Sequence, residues 1–350
     1  MPCGMVVTPP GRNVWFCAAR RGGVVLCAGS IPTGIGLFCW PKRLCYGKGT
    51  SLDTPRKDST MDGTPRDPAV WKRELREQWS NVAQGWRRRW AAFERGAQPL
   101  SDRMMELAHV APGHKVLDVA TGIGEPAMTA ARKAGPSGRV VAIDQAPRML
   151  EVARERMQAA GIETVEFVEG DAEAVTLPLD SFDAVVCRWG LMFFHNPVGT
   201  LARLRKSLVP GGWLAVAVWG EPSQVPIISL PFSVFSRELS QPPSPPSGPN
   251  PFALSEPTRL EQVLHDAGFA NVRCEPLTVT FAFASVDEFL GHLGDVSAPI
   301  RMIMATLSPL DQAEFWKKLA AAAAQFADAD GVIRLPNACL AAAGQRLRSA

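Results

Sequence analysis

The chain has 350 residues, 46% hydrophobic and 20% charged, enough to bury the core of one large domain or two small ones. Its formal charge of +3 is unevenly placed: residues 1–60 hold eight Lys/Arg against Asp53 and Asp58, so the remainder nets −3 and offers no general attraction for a polyanion. Five of the eight cysteines (Cys3, Cys17, Cys27, Cys39 and Cys45) fall in that first stretch without C-x-x-C spacing, which argues against a metal site.

Residues 1–60 read as a leader, either disordered or extended ahead of a true start at Met61. The uncharged run 22–40 follows Arg20-Arg21, but its five glycines and Pro32 make it a poor spanning helix. Residues 41–60 contain no alanine for an Ala-x-Ala cleavage site. The expected location is cytoplasmic. An organelle transit peptide is the alternative, because no acidic residue precedes Asp53.

Residues 61–111 read as an N-terminal helical cap. Over 68–96, Trp71, Leu75, Trp79, Val82, Trp86, Trp90 and Phe93 recur every three or four residues, the stripe of an amphipathic helix. Gly85 marks a break in it. Such a helix can cover a ligand, lie on a membrane surface through Arg87, Arg88 and Arg89, or simply pack on the domain. A second helix over 101–110 leads to Pro112-Gly113.

From 112 to 284 strands and helices alternate. Strands fall at 116–119, 139–143, 164–169, 182–187 and 213–219, with helices at 126–134, 147–160 and 198–208. Prolines stand near helix starts (Pro126, Pro147, Pro197) and glycines near helix ends (Gly135, Gly161). The alternation predicts a parallel sheet covered on both faces. Between 221 and 257 the pattern breaks, with six prolines among 242–251, and predicts a surface insertion beside the substrate mouth. A helix over 259–267 and a strand over 272–283 follow. Residues 285–329, with their alanine run 320–324, read as a helical lid inserted before a final strand at 335–342, within the closing segment 330–350.

The chemistry concentrates after the first strand, in Asp118-Val119-Ala120-Thr121-Gly122-Ile123-Gly124. Glycines let the backbone approach a ligand, and the next helix presents free N–H groups to it. The second strand ends in Asp144, where a carboxylate can accept from both hydroxyls of a ribose. Gly122-x-Gly124-x-x-Ala127 alone also fits a dinucleotide fingerprint. Asp118 argues otherwise, since it would repel a pyrophosphate but suits a cationic or amino-bearing ligand. Gly170-Asp171-Ala172 adds an acceptor for an adenine amino group, and Leu208-Val209-Pro210-Gly211-Gly212 forms a helix end and turn into the fifth strand. Asp118, Asp144, Asp171 and Arg188 all fall at strand carboxyl ends, where such sheets bind ligands.

In this order and spacing, the segments within 116–212 resemble the class I S-adenosylmethionine-dependent methyltransferases. More narrowly they are similar to the small-molecule group that includes the ubiquinone/menaquinone biosynthesis C-methyltransferases, with their methyltransferase type 11-like domain. The resemblance implies an α/β, Rossmann-like, doubly wound seven-stranded sheet, mostly parallel with one antiparallel strand, carrying an N-terminal helical cap and a helical lid. It implies S-adenosyl-L-methionine as cofactor, with Asp118 at the methionyl ammonium, Asp144 at the ribose and Asp171 at the adenine. Ala120, Thr121, Gly122, Gly124, Gln145, Met149, Ala172 and Arg188 complete the expected contacts, and Trp86 or Trp90 would lie near the methionine end.

The implied reaction is displacement at a sulfonium methyl, in which the protein supplies proximity and alignment. His195, just beyond the fourth strand, is the candidate base, and His292 in the lid is a second. His109, His114 and His265 belong to the scaffold, and Asp183 reads as structural. Trp189, Met192, Phe193 and Phe194 suggest an apolar acceptor pocket for a small ring compound, quinone precursors first among them. The expected partners are small molecules, with no nucleic acid, metal or integral membrane segment; peripheral membrane contact stays open. A dinucleotide-dependent oxidoreductase and a non-catalytic adenosyl-ligand-binding protein are the alternatives. Neither a Ser/His/Asp constellation nor G-x-x-x-x-G-K occurs, so hydrolase and P-loop readings have no support.

Overall fold

The strand Lys115–Val119 (KVLDV) is buried at every position but its first, as a strand covered on both faces must be. It belongs to a computed structural model that describes residues 5–8, 12–15, 67–238 and 250–348. The chain forms two units, Met1–Arg56 and Lys57–Ala350. In the first, β1 (Met5–Thr8) pairs antiparallel with β2 (Arg12–Trp15), Met5 opposite Trp15. The rest of the expected leader, and the expected start at Met61, lie outside the described residues.

In the second unit Lys115–Val119 is β3. It pairs in parallel with β4 (Arg139–Asp144), which pairs with β5 (Val165–Glu169). On the other side β3 pairs with β6 (Phe182–Arg188) and β6 with β7 (Leu208–Trp219), again in parallel. The chain thus lays strands outward from β3 in one direction, then crosses to build in the other. That reversal opens a crevice at the carboxyl ends of β3 and β6. Beyond β7 the sheet order continues through β9 (Ile333–Gln345) to β8 (Ala270–Phe283), with β9 antiparallel to both neighbours. Seven strands with one reversed is the sheet the sequence resemblance implied.

Helices α2 (Ala127–Ala134), α3 (Pro147–Ala159) and α4 (Pro197–Ser207) make the crossovers, and α6 (Pro257–Asp266) precedes β8. Asn196 caps α4 by accepting from the Gly199 amide at 2.9 Å. The expected lid is three helices, α7 (Val286–Val296), α8 (Ala298–Thr306) and α9 (Pro309–Ala324), each started by a serine cap. At α7 the cap is reciprocal: Ser285 Oγ accepts from the Glu288 amide, and Glu288 accepts from the Ala284 amide.

Two expectations differ from the structure. Gly85 does not break the N-terminal helix, and 101–110 is not a separate one: α1 (Pro68–Leu107) runs unbroken for 40 residues. A Cβ at Gly85 would fall 1.9 Å from the carbonyl oxygen of Asp295, so this glycine lets α1 touch the backbone of α7. Pro99 forfeits a helical hydrogen bond without ending the helix, because Leu100, Met104, Met105 and Leu107 beyond it are fully buried. Second, the insertion 221–257 contains a helix, α5 (Pro226–Glu238), whose Phe235 stacks on Phe315 of α9 at 3.9 Å between centroids. Its proline-dense part, 239–249, lies outside the described residues.

Candidate active site

A cavity of about 750 Å³ occupies the crevice, walled by the ends of β3 to β6 and covered by α1, α5, α7 and α8. Its first half is the glycine turn. Ala120 and Gly122 take left-handed backbone conformations (φ 59° and 55°), which turns the chain sharply off β3. The Gly122 amide donates to Asp144 Oδ2 and the Ala146 amide to Asp144 Oδ1, both at 2.8 Å. Asp144 is thereby fixed, and each oxygen keeps a lone pair for a ligand hydroxyl. Burial raises its pKa while the amides of Ala146 and Gly122 oppose that. Thr121, Gln145, Met149 and Ala172, expected at the cofactor, line the same half of the cavity. Gly124 does not. Its φ is 94°, and a Cβ there would meet Ala153 and Met157 of α3 at 3.2 Å, so it serves the turn and the helix packing.

Asp171 lines the cavity but is tied to α1. Lys72 Nζ lies 2.8 Å from Asp171 Oδ2 and 3.0 Å from Glu173 Oε2. Asp171 Oδ1 also accepts from the Glu173 amide at 2.8 Å. Glu173 in turn accepts from the amides of Asn196 and His195. Arg76 pairs with Glu169 alongside. The Asp171 side of the crevice is thus stitched to the first turns of the helix.

A band of buried charge crosses the middle. Arg188 donates from Nη2 to Glu94 Oε1 at 2.7 Å and from Nη1 to Ser101 Oγ at 2.8 Å. Arg156 lies 3.7 Å from Glu125 Oε1 and donates to the Ile123 carbonyl at 2.6 Å. Thr129 Oγ1 donates to Glu125 at 2.9 Å. Arg188, expected at the cofactor, does line the cavity, and so do Glu94 and Glu125. Asp118 does not: it is fully buried behind the wall, with neither oxygen in a completed hydrogen bond. Burial pushes it up to about 7, against the lowering influence of Thr121 and Arg188. Of the band's three carboxyl groups, those of Glu94 and Glu125 belong to residues on the cavity wall and that of Asp118 does not. Sequence reasoning missed Glu94 because a glutamate on an amphipathic helix reads as solvent-facing. The available signal was its register, seven residues before Ser101 and one turn before Ala97, on the buried face.

The second half is apolar. Trp86, Phe93, Trp189, Trp219, Ile227, Phe232, Phe252, Leu293 and Ile300 line it, and Met192, Phe193 and Phe194 also face the cavity. Trp189, in a left-handed conformation (φ 56°), stacks on Trp219 at 4.3 Å, and Phe93 stacks on Phe281 at 4.4 Å. Trp86 meets Phe93 edge-on at 4.9 Å, and its buried Nε1 has no hydrogen-bond partner. Trp90 instead packs under the Arg156 guanidinium, off the wall.

Of the two candidate bases, the second, His292, lines the cavity and the first, His195, does not. His195 is exposed, packs edge-on against Trp71 at 5.7 Å and is not on the cavity wall, because the turn after β6 carries its ring outward. His292 of α7 is on the wall, 2% exposed, its Nδ1 unpartnered. Burial, reinforced by Arg89, pushes His292 down to about 4 and leaves a neutral imidazole. Asp183 accepts from the Lys115 amide at 2.8 Å, which joins β3 to β6. Among the described residues no cluster of His, Cys, Asp and Glu could hold a metal, and no helix is long and apolar enough to cross a membrane.

These groups fit an adenosyl amino acid. Asp144 suits a ribose, the buried carboxylates and Arg188 suit a zwitterion, and Thr121 Oγ1 is a buried polar atom without a partner. Residues 116–212 match the family described as methyltransferase domain. The chain is 35% identical over 133 residues to the ubiquinone/menaquinone biosynthesis C-methyltransferase of Ectopseudomonas mendocina, covering 38% of this chain and 52% of that one. It is 37% identical over 128 residues to the enzyme of the same name from Hahella chejuensis, covering 36% and 51%. The chain thus spans about half the length of these relatives. Among solved structures, the YcgJ protein of Bacillus subtilis aligns with a TM-score of 0.48 at 18% identity, over 71% of this chain and 98% of that one. The methyltransferase domain is the class that the glycine turn, Asp144 and Pro210-Gly211-Gly212 resembled.

Proposed function

We propose that this chain, which carries a methyltransferase domain at 116–212, transfers the methyl group of S-adenosylmethionine to a small, fairly apolar ring compound. One observation carries the reading. A single cavity joins the glycine turn and Asp144, through the band of Glu94 and Arg188, to a chamber of tryptophan and phenylalanine. A dinucleotide would need its pyrophosphate beside Glu94 and Glu125, where like charge opposes it. Quinone precursors lead the acceptor candidates, on the names of the relatives and the aromatic wall.

When bound, the cofactor supplies a methyl group already activated on sulfur, so the protein's work is placement. Asp144 orients the ribose and the band anchors the amino-acid end. Trp86, Phe93 and Trp189 hold a flat acceptor and exclude water. Where the acceptor must lose a proton, His292 is the histidine on the wall, and it is neutral. A cytoplasmic location belongs to the same reading.

Titration calorimetry should show binding of S-adenosylmethionine and S-adenosylhomocysteine. NADH binding with no response to either would support an oxidoreductase instead. A metabolite extract incubated with methyl-labelled cofactor should yield a labelled small molecule. Cofactor binding with no label transferred to any compound would support a non-catalytic adenosyl-binding protein.

A further inference from the structure

The charged band holds one more carboxyl group than it has guanidiniums. Asp118, Glu94 and Glu125 bring three carboxylates, while Arg156 and Arg188 bring two guanidiniums, and all five residues are under a tenth exposed. Arg132, the next cation to influence Arg156, stands in solvent. Among the band's residues on the cavity wall, Glu94 alone has a bare carboxylate oxygen. Glu94 gives Oε1 to Arg188 at 2.7 Å, whereas its Oε2 is shut off from water and has no hydrogen-bond partner. Glu125 uses both oxygens within the band, on Arg156 and Thr129. A buried carboxylate oxygen left bare is costly, and native proteins tolerate one where a ligand completes it. Glu94 meets that condition, because it lines the cavity between the glycine turn and the aromatic chamber.

We propose that Glu94 Oε2 accepts a hydrogen bond from the α-ammonium of the adenosyl ligand. This rests on the ligand assigned under the proposed function. It makes α1 a binding element rather than a cover, and it gives Glu94 the role that the sequence pattern assigned to Asp118.

The test is calorimetry on the full chain with S-adenosylhomocysteine and its deaminated analogue, which keeps the carboxylate and loses the ammonium. The wild-type protein should prefer the ammonium compound by about ten- to a hundredfold. Glu94→Gln should bind the two within about threefold of each other, the loss falling on the ammonium compound. Glu94→Gln discriminating as strongly as wild type would overturn the proposal and leave the proposed function standing. Wild-type protein that binds no adenosyl compound would overturn both. If Glu94→Gln does not fold, as judged by a cooperative thermal melt, Glu94→Asp replaces it. That variant keeps the charge but withdraws it by one methylene, so its discrimination should also shrink; undiminished discrimination would overturn the proposal.

Discussion

Burial acts on Asp118 and His292 in opposite directions. Asp118 is pushed from 3.8 up to about 7, so the folded protein holds a proton there that the unfolded chain has already lost. The stability contributed by that proton is complete below about pH 4 and is lost as pH rises through 7, on the order of 4 kcal/mol in all. The ligand-free protein should therefore melt lower at pH 8 than at pH 6 by a wider margin than Asp118→Asn does. Matching profiles would show that Asp118 is ionised throughout. A cationic ligand beside the band should expel the same proton, so calorimetry at pH 7 in buffers of different ionisation enthalpy should register its release. His292, pushed from 6.5 down to about 4, stays uncharged in the fold; its stability is present above pH 6.5 and drains away as pH falls through 4. His292→Phe should flatten that acid limb and keep adenosyl binding within about threefold, while methyl transfer drops by on the order of 10²-fold if the imidazole takes a proton. Unchanged transfer would reduce it to a wall residue.

At the scale of elements, Gly85 is where two helices meet backbone to backbone. Gly85→Ala would place a methyl 1.9 Å from the Asp295 carbonyl, so α7 must retreat from α1. The expected cost is about 1–3 kcal/mol in denaturant unfolding. Because α7 carries His292, Leu293 and Val296 of the aromatic half of the cavity, acceptor KM should rise while adenosyl affinity changes little. Wild-type stability in the variant would mean the helices are not in contact there. The same position shows why some of the fold was legible in the sequence and some was not. Strands, crossover helices and the glycine turn declare themselves through local periodicity, with Pro126, Pro147 and Pro197 marking the starts. Gly85 does not, because a helix breaker and a close-contact glycine look alike until the partner backbone is known. Helix α5 was hidden by the prolines of its neighbouring segment. Glu94 and Arg188 were hard to pair for a different reason: they stand 94 residues apart, and their contact exists only once α1 has crossed the end of β6.

At the scale of the molecule, every residue that lines the cavity belongs to the unit Lys57–Ala350. A protein begun at Met61 should therefore fold and bind the adenosyl ligand with the affinity of the full chain. A weakened titration in the shortened protein would show that earlier residues complete the site. The net −3 after residue 60 offers no general attraction for a polyanion, and label recovered chiefly in RNA would contradict the proposed small-molecule acceptor.

Helix α1, 40 residues and so about 60 Å long, touches the Asp171 side of the cavity through Lys72, the charged band through Glu94 and the aromatic chamber through Trp86 and Phe93. A rod that borders both compartments cannot yield at one without disturbing the other. The two substrates should then associate in a fixed order, donor before acceptor, with the nucleoside product leaving last. In initial-rate experiments S-adenosylhomocysteine should inhibit competitively against the donor and non-competitively against the acceptor, and parallel double-reciprocal lines would be incompatible with that order.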